Sequence, residues 1–223
     1  MNRRVLLVRH GRTAWNAEGR FQGQADPPLD EVGIAQAEEL AALIAALRPD
    51  VVVSSDLRRA RQTAEPIELA TGVRVVADAR LRERSLGHWE GLTRGEVQRA
   101  FPDEYADWVA GRDVSRRGGE SRDQVAARAC AVFSALPDVE VAVLVTHSAT
   151  AMALSSAALG LSQEVHVLSP LANCHWSELR HEPSERGSTP WRLRAHNVGA
   201  PGAVIPFALQ VDLSDEDSAD ASA

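Results

Sequence analysis

Lysine is missing altogether: the 24 residues of the Lys+Arg count in this 223-residue chain are all arginine. A Walker A phosphate loop needs its lysine and a Schiff-base enzyme its lysine amine, so neither chemistry is open to the chain. Cysteine is almost as scarce. Cys130 and Cys174 alone cannot build a disulfide framework or a cysteine zinc site, and they suit a reducing compartment. No apolar run approaches the roughly 20 residues that a membrane span requires. The N-terminal apolar stretch, Val5 to Val8, is too short for a secretory leader. The expectation is a cytoplasmic protein with no membrane partner.

What is present suits one soluble globular domain, with 44% of residues hydrophobic and 25% charged. The net charge of −7 argues against nucleic-acid binding, and the five tryptophans therefore read as core and pocket wall rather than a base-stacking platform. Charge is unevenly spread. Five acids and no arginine fall in residues 212–223, which leaves −2 for the rest of the chain and marks this tail as disordered. Residues 1–24 carry five arginines against the single acid Glu18.

Short apolar runs alternate with helical patterns, the signature of an α/β fold whose strands are buried on both faces. Val5–Val8, Val51–Val53, Val73–Ala77 and Val141–Val145 read as strands, and segments 173–180 and 191–198 as an antiparallel pair, so the sheet is mixed. Leu40, Leu43, Ile44 and Leu47 have helical spacing, with Asp30 as the cap before them. Residues 57–70 read as a helix capped by the Ser54-Ser55-Asp56 cluster and kinked at Pro66. Further helices are expected at 122–135 and 149–159. Residues 78–120, richer in charge, tryptophan and glycine, read as a cap inserted over the sheet edge within a domain spanning 1–211.

Three strands end in polar clusters of one kind. The first runs into Arg9-His10-Gly11-Arg12-Thr13, the second into Ser54-Ser55-Asp56-Leu57-Arg58, and the fourth into Thr146-His147-Ser148. Ligands of open α/β sheets bind at the carboxyl ends of strands. Arginine there makes bidentate contacts to phosphate, and a histidine can present a ring nitrogen. Such a set lacks a proton donor for a leaving group, and Glu83, in Leu81-Arg82-Glu83, offers one.

These blocks resemble the histidine phosphatase superfamily, the phosphoglycerate-mutase-like group. The Arg-His-Gly-x-Thr start, the Ser-Ser-Asp-Leu-x-Arg-Ala-x-x-Thr-Ala segment, Leu-x-Glu followed by Gly87-x-Trp-Glu-Gly91, and the late His147 occur in the expected order over about residues 4–200. The resemblance implies a three-layer α/β/α sandwich with a mixed, mostly parallel sheet. It implies a metal-independent phosphomonoesterase acting on a small phosphorylated metabolite through phosphohistidine, with no cofactor. His10 would be the nucleophile, Arg9, Arg58 and His147 the phosphate pocket, and Glu83 the general acid and then base. Thr13, Asn16 and Gln22 match positions that line such pockets. One departure is Ser148, where the family commonly has glycine.

Within the superfamily the compact Gly87–Gly91 segment favours hydrolysis over mutase activity. Gly118-Gly-Glu-Ser-Arg122, Trp191-Arg-Leu-Arg194 and Asn197 resemble the glucosyl-3-phosphoglycerate phosphatases. A phosphoglycerate mutase, an α-ribazole-type or broad-specificity sugar phosphatase, and a catalytically silent phosphate-binding module are the alternatives. A homodimer is common among similar proteins. Two decoys are set aside. Cys174 to Arg180 has the spacing of a cysteine-phosphatase loop but alternates like a strand and lacks glycine. Glu90 competes with Glu83, but its Gly-x-Trp-Glu-Gly setting reads as a structural turn. His88, His166, His175, His181 and His196 show no zinc-ligand spacing.

Overall fold

In a computed structural model that describes residues 3–165, 167–182 and 190–199, six strands form one sheet in the order β3-β2-β4-β1-β5-β6. The strands are β1 (Arg4–Arg9), β2 (Val51–Ser54), β3 (Val75–Ala77), β4 (Val141–Thr146), β5 (Trp176–His181) and β6 (Trp191–Val198). The first four run parallel, and β5 and β6 are antiparallel to their neighbours, as expected of a mixed sheet. The helices are α1 (Ala14–Ala17), α2 (Glu31–Ala46), α3 (Arg58–Thr71), α4 (Arg94–Ala100), α5 (Pro102–Val109), α6 (Arg122–Ala135) and α7 (Ser148–Ala158). Among the described residues no helix is long and apolar enough to cross a membrane. The 212–223 tail, the loop Glu182 to Pro190 over residues 183–189, and His166 lie outside the described residues.

Alternation along β1 builds the three layers. Leu6 and Val8 face one side with Val52, Val143 and Val145, where α2 and α3 pack through Leu40, Ile44, Ala60, Ala64 and Ile67. Val5 and Leu7 face the other side with Val53, Ala142 and Leu144, where α6 and α7 supply Ala129, Val132, Phe133, Ala151 and Leu154. Strand β4 lies between β1 and β2 and is buried along its whole length. Each fully buried aliphatic side chain contributes roughly 1.5–3 kcal/mol, so this double core carries most of the stability.

Helix α2 starts where Asp30 accepts the N–H of Gly33 at 2.7 Å, the cap read from the sequence. The cap of α3 differs from the expectation. Its N-cap is Leu57, with no side-chain capping bond, because Asp56 is drawn away to Arg82 and Ser55 to His147. Segment 173–180 enters its strand only at Trp176, since Cys174 turns the chain with a φ of +56°. Residues 79–120 build a further small core together with Phe21, with Trp89, Val97 and Val114 buried against Phe21 and Trp108.

Candidate active site

Because β1, β2 and β4 are parallel, their carboxyl ends share one edge. Arg9 is level with Thr146 and Ser54 with Val145, so the next residues, His10, Ser55 and His147, emerge side by side. The backbone ladder continues one step past the strands, with His10 N–H donating to Thr146 and Ser55 N–H to Val145. The His10 and His147 rings stand 5.1 Å apart.

His10 is buried, and its Nδ1 lies 2.7 Å from the carbonyl oxygen of Gly11. A carbonyl only accepts, so Nδ1 carries the proton and Nε2 keeps a free lone pair. Burial, then Arg59, then Arg9 hold the imidazolium form of His10 well below its ordinary pKa of 6.5, so the ring is neutral at physiological pH. Gly11 is required by close approach, since a Cβ there would stand 2.6 Å from the carbonyl oxygen of Gly33 in α2. The loop and helix therefore meet backbone to backbone.

The arginine that the second strand delivers is Arg59, and the expectation for Arg58 is corrected. Arg58 is solvent-exposed, and its backbone N–H bonds Asp26. Arg59 is fully buried and bonds Ala25 oxygen from Nη1 at 2.6 Å, Gly23 oxygen from Nη2 at 2.8 Å and His147 Nδ1 from Nε at 3.2 Å. Helical periodicity explains the difference: Arg59, Thr63 and Ile67 are four residues apart and share the buried face of α3, while Arg58 points outward. Burial lowers the Arg59 pKa to about 10, still high enough to keep its charge at neutral pH.

His147 is fully buried, and its Nε2 lies 2.9 Å from Ser55 Oγ. Burial first, then Arg59, His10 and Arg9, disfavour its charged form, so it too is neutral. Arg9 donates from Nη1 to the carbonyl of Leu171, while its buried Nε has no hydrogen-bond partner among the described residues. Two further buried atoms in the same state belong to expected site residues, Gln22 Oε1 and Ser148 Oγ. A guanidinium nitrogen can only donate, so an unpaired Arg9 Nε suits an anion.

Glu83 sits at the N-terminus of α7. Its Oε1 accepts from the backbone N–H groups of Arg84 at 2.8 Å and Thr150 at 3.2 Å, and its Oε2 accepts from Ala149 N–H at 3.2 Å. Glu90 is committed elsewhere: its Oε1 accepts from the N–H groups of Gln24 and Leu86, tying segment 86–90 to the loop after α1. Thr13 and Asn16 are used on each other in a capping box at α1, which shapes the His10 loop. Cys174 is buried, and burial pushes its thiol up to about 12, so it is no nucleophile. Among the described residues no cluster of three His, Cys, Asp or Glu side chains could hold a metal ion.

Three contributors were not found by reading the sequence. Asn173 donates from Nδ2 to the carbonyl of His10 at 3.0 Å and to Asn16 Oδ1 at 3.3 Å across a separation that no local pattern reveals. Ser55, expected as a helix cap, instead holds His147. Arg59 is the arginine of the Leu-x-Arg-Ala block, in which Arg58 fills the x position.

A cleft beside Glu83 runs between α6 and α7, lined by Arg84, Arg122, Met152, Ala153, Ser156 and Gln163. The site as a whole joins two guanidinium groups, two neutral imidazoles and one carboxylate, an arrangement made for a phosphoryl group.

The chain belongs to the histidine phosphatase superfamily, whose branch 1 model matches residues 5–194. It is 37% identical over 214 residues to the glucosyl-3-phosphoglycerate phosphatase of Mycobacterium tuberculosis, covering 89% of this chain and 96% of that one. It is 35% identical over 199 residues to a protein of Yersinia pestis named probable phosphoglycerate mutase GpmB, covering 86% and 91%. Among solved structures, the mycobacterial glucosyl-3-phosphoglycerate phosphatase in complex with VO3 superposes with a TM-score of 0.78 at 35% identity, over 88% of this chain and 100% of that one. With this fold and these relatives, the chain is a phosphoric monoester hydrolase of the superfamily.

Proposed function

We propose that the chain hydrolyses a small phosphorylated metabolite through phosphohistidine without a metal ion, with glucosyl-3-phosphoglycerate as its substrate. The observation that carries the mechanism is the His10 geometry: Nδ1 pinned to Gly11 oxygen, Nε2 unprotonated, and the ring buried beside Arg9 and Arg59. Nε2 attacks phosphorus, and the bond to the leaving oxygen breaks as Glu83 gives it a proton. Water then attacks the phosphohistidine, Glu83 takes its proton, and inorganic phosphate leaves with the Nε2 bond broken. Arg9, Arg59 and the neutral His147 stabilise the equatorial oxygens in both steps, and preorganised hydrogen-bond donors of this kind are worth about 10²–10³ in rate each.

The substrate assignment rests on the mycobacterial relatives and on the cleft beside Glu83. A leaving group must pass the acid that protonates it, and the cleft there is lined by Arg122, which also donates to Gly111 oxygen, and by Arg84, which is paired with Asp113, a setting for an acidic group such as a glycerate. Thr13 and Asn16 shape the loop in this reading, while Gln22 and Ser148 face substrate. The two free cysteines suit a reducing cytoplasm.

The deciding experiment assays release of phosphate from glucosyl-3-phosphoglycerate, a panel of sugar phosphates and p-nitrophenyl phosphate, with and without chelator. Glucosyl-3-phosphoglycerate is expected to give the highest kcat/KM, chelator to have no effect, and His10→Ala to lose activity. Persistent activity in His10→Ala removes the mechanism, and chelator inhibition removes the metal-free step. Isomerisation of phosphoglycerate in place of hydrolysis would make the chain a mutase.

A further inference from the structure

Arg128 in α6 and Glu120, just before that helix, lie outside the phosphoryl pocket, and the chemistry above does not use them. Arg128 donates from Nη1 to the carbonyls of Arg80 at 2.7 Å and Arg82 at 2.6 Å, and from Nη2 to the carbonyl of Glu83 at 3.0 Å. The same guanidinium pairs with Glu120, Nε to Oε1 at 2.8 Å and Nη2 to Oε2 at 3.0 Å. Glu120 Oε2 also accepts the N–H of Ser85 at 2.9 Å and the side-chain amide of Gln24 at 3.3 Å. Its backbone oxygen accepts from Arg84 Nε at 2.7 Å, and its N–H donates to Ser85 oxygen at 3.0 Å. Every residue from Arg82 to Ser85 is therefore tied to Arg128 or Glu120.

The segment needs such ties. It lies between single 3-10 turns at Ala79–Leu81 and Gly87–Trp89, so neither a helix nor a strand ladder satisfies its carbonyls. Three carbonyls and a carboxylate converging on one point call for a planar group with five donors, which an ammonium with three cannot replace. Burial works against the Glu120 carboxylate, yet Arg128 and the Ser85 N–H outweigh it and keep the carboxyl below its ordinary pKa. Glu120 is thus a carboxylate at neutral pH, facing a guanidinium.

We propose that Arg128 and Glu120 are positioning residues that fix the Glu83 backbone, and through it the carboxyl group that serves both half-reactions. This rests on the phosphatase reading. Displacement of a catalytic group by about 1 Å can cost about 10² in rate, whereas the side-chain hydrogen bonds of Arg9, Arg59 and His147 go to Leu171, Gly23, Ala25, Ser55 and one another, not to residues 82–85.

The test uses Arg128→Lys and Glu120→Gln with p-nitrophenyl phosphate in rapid-quench experiments. Nitrophenolate leaves without a proton, so phosphorylation of His10 tolerates a misplaced Glu83, but hydrolysis of phosphohistidine needs its base. The expected result is a burst within about 3-fold of the unaltered protein, a steady-state rate lower by about 30–100-fold, and accumulation of acid-labile phosphohistidine. The inhibition constant of inorganic phosphate stays within about 2-fold. Unchanged turnover overturns the proposal. So does a parallel loss of burst and turnover matched by loss of folded protein on thermal melting, which would mark a purely structural role. If the unaltered protein forms no phosphohistidine, the phosphatase mechanism itself falls, and the proposal with it.

Discussion

Arg59 Nε lies 3.2 Å from His147 Nδ1, and since a guanidinium only donates, this imidazole is held neutral with its proton on Nε2, facing Ser55 Oγ. The second histidine thus enters the site with its tautomer set by one arginine and one serine. His10, with its own Nδ1 proton on Gly11 oxygen, is fixed by a different device to the same protonation state.

Two buried neutral histidines make stability depend on acid. Both have folded pKa values well below 6.5, while the unfolded chain takes up protons near that value. Below pH 6.5 the unfolded state binds more protons than the native one, so stability falls as pH falls and is full above about pH 7.5. Each histidine should cost about 1.4 kcal/mol by pH 5.5. Urea midpoints at pH 7.5 and 5.5 measure this, and His147→Gln should show a pH effect smaller by its own share. An undiminished effect in that variant contradicts the assignment.

Arg59→Ala should lower kcat/KM for p-nitrophenyl phosphate by at least about 10³, because it removes a phosphate cation and leaves His147 Nδ1 and two carbonyls without their donor. Arg58→Ala should stay within about 2-fold. Equal losses in both would restore Arg58 to the pocket.

Ser148 Oγ is buried without a hydrogen-bond partner among the described residues. Ser148→Ala should leave the melting temperature unchanged or raised, since it removes an unpaired polar group, and should weaken inhibition by inorganic phosphate about 3–10-fold through loss of one contact. An inhibition constant equal to that of the unaltered protein would show that the hydroxyl does not meet phosphate.

In α2, a Cβ on Gly33 would stand 2.0 Å from the carbonyl oxygen of Arg12. Gly33→Ala should therefore destabilise the fold by about 2–3 kcal/mol and reduce activity in the fraction that remains folded, by pushing the His10 loop off the helix. Chemical denaturation paired with active-site titration separates the two effects.

Arg122→Ala should raise KM for glucosyl-3-phosphoglycerate by about 10-fold while leaving KM for p-nitrophenyl phosphate within about 2-fold. The two KM values measured side by side decide it, and an equal rise for both substrates would place Arg122 outside the leaving-group cleft.

The sheet was readable because its strands are short apolar runs buried on both faces, and each of the six was expected within a few residues of where it lies. His10, His147 and Glu83 stand in distinctive local motifs, and the structure places the two histidine rings 5.1 Å apart and Glu83 against the helix that follows His147. Arg58 was the failure, and its cause is geometric: a run of two arginines at a helix start leaves the choice to the angle between successive side chains, about 100° on a helix. Thr63 and Ile67, four and eight positions beyond Arg59, mark the buried face. Asn173 and the Arg128–Glu120 pair act through backbone atoms distant in the chain, and contacts of that kind leave no periodic trace.

Strand β1 lies between β4 and β5, so both walls of the His10 strand come from chain made long after it. A nascent chain that has emerged only as far as α6 holds His10 on a strand with neither neighbour, without His147, Asn173 or the Leu171 carbonyl that grips Arg9. The site is therefore the last thing such a chain acquires during synthesis, and a product truncated before β4 is a protein with its nucleophile but no reaction to perform.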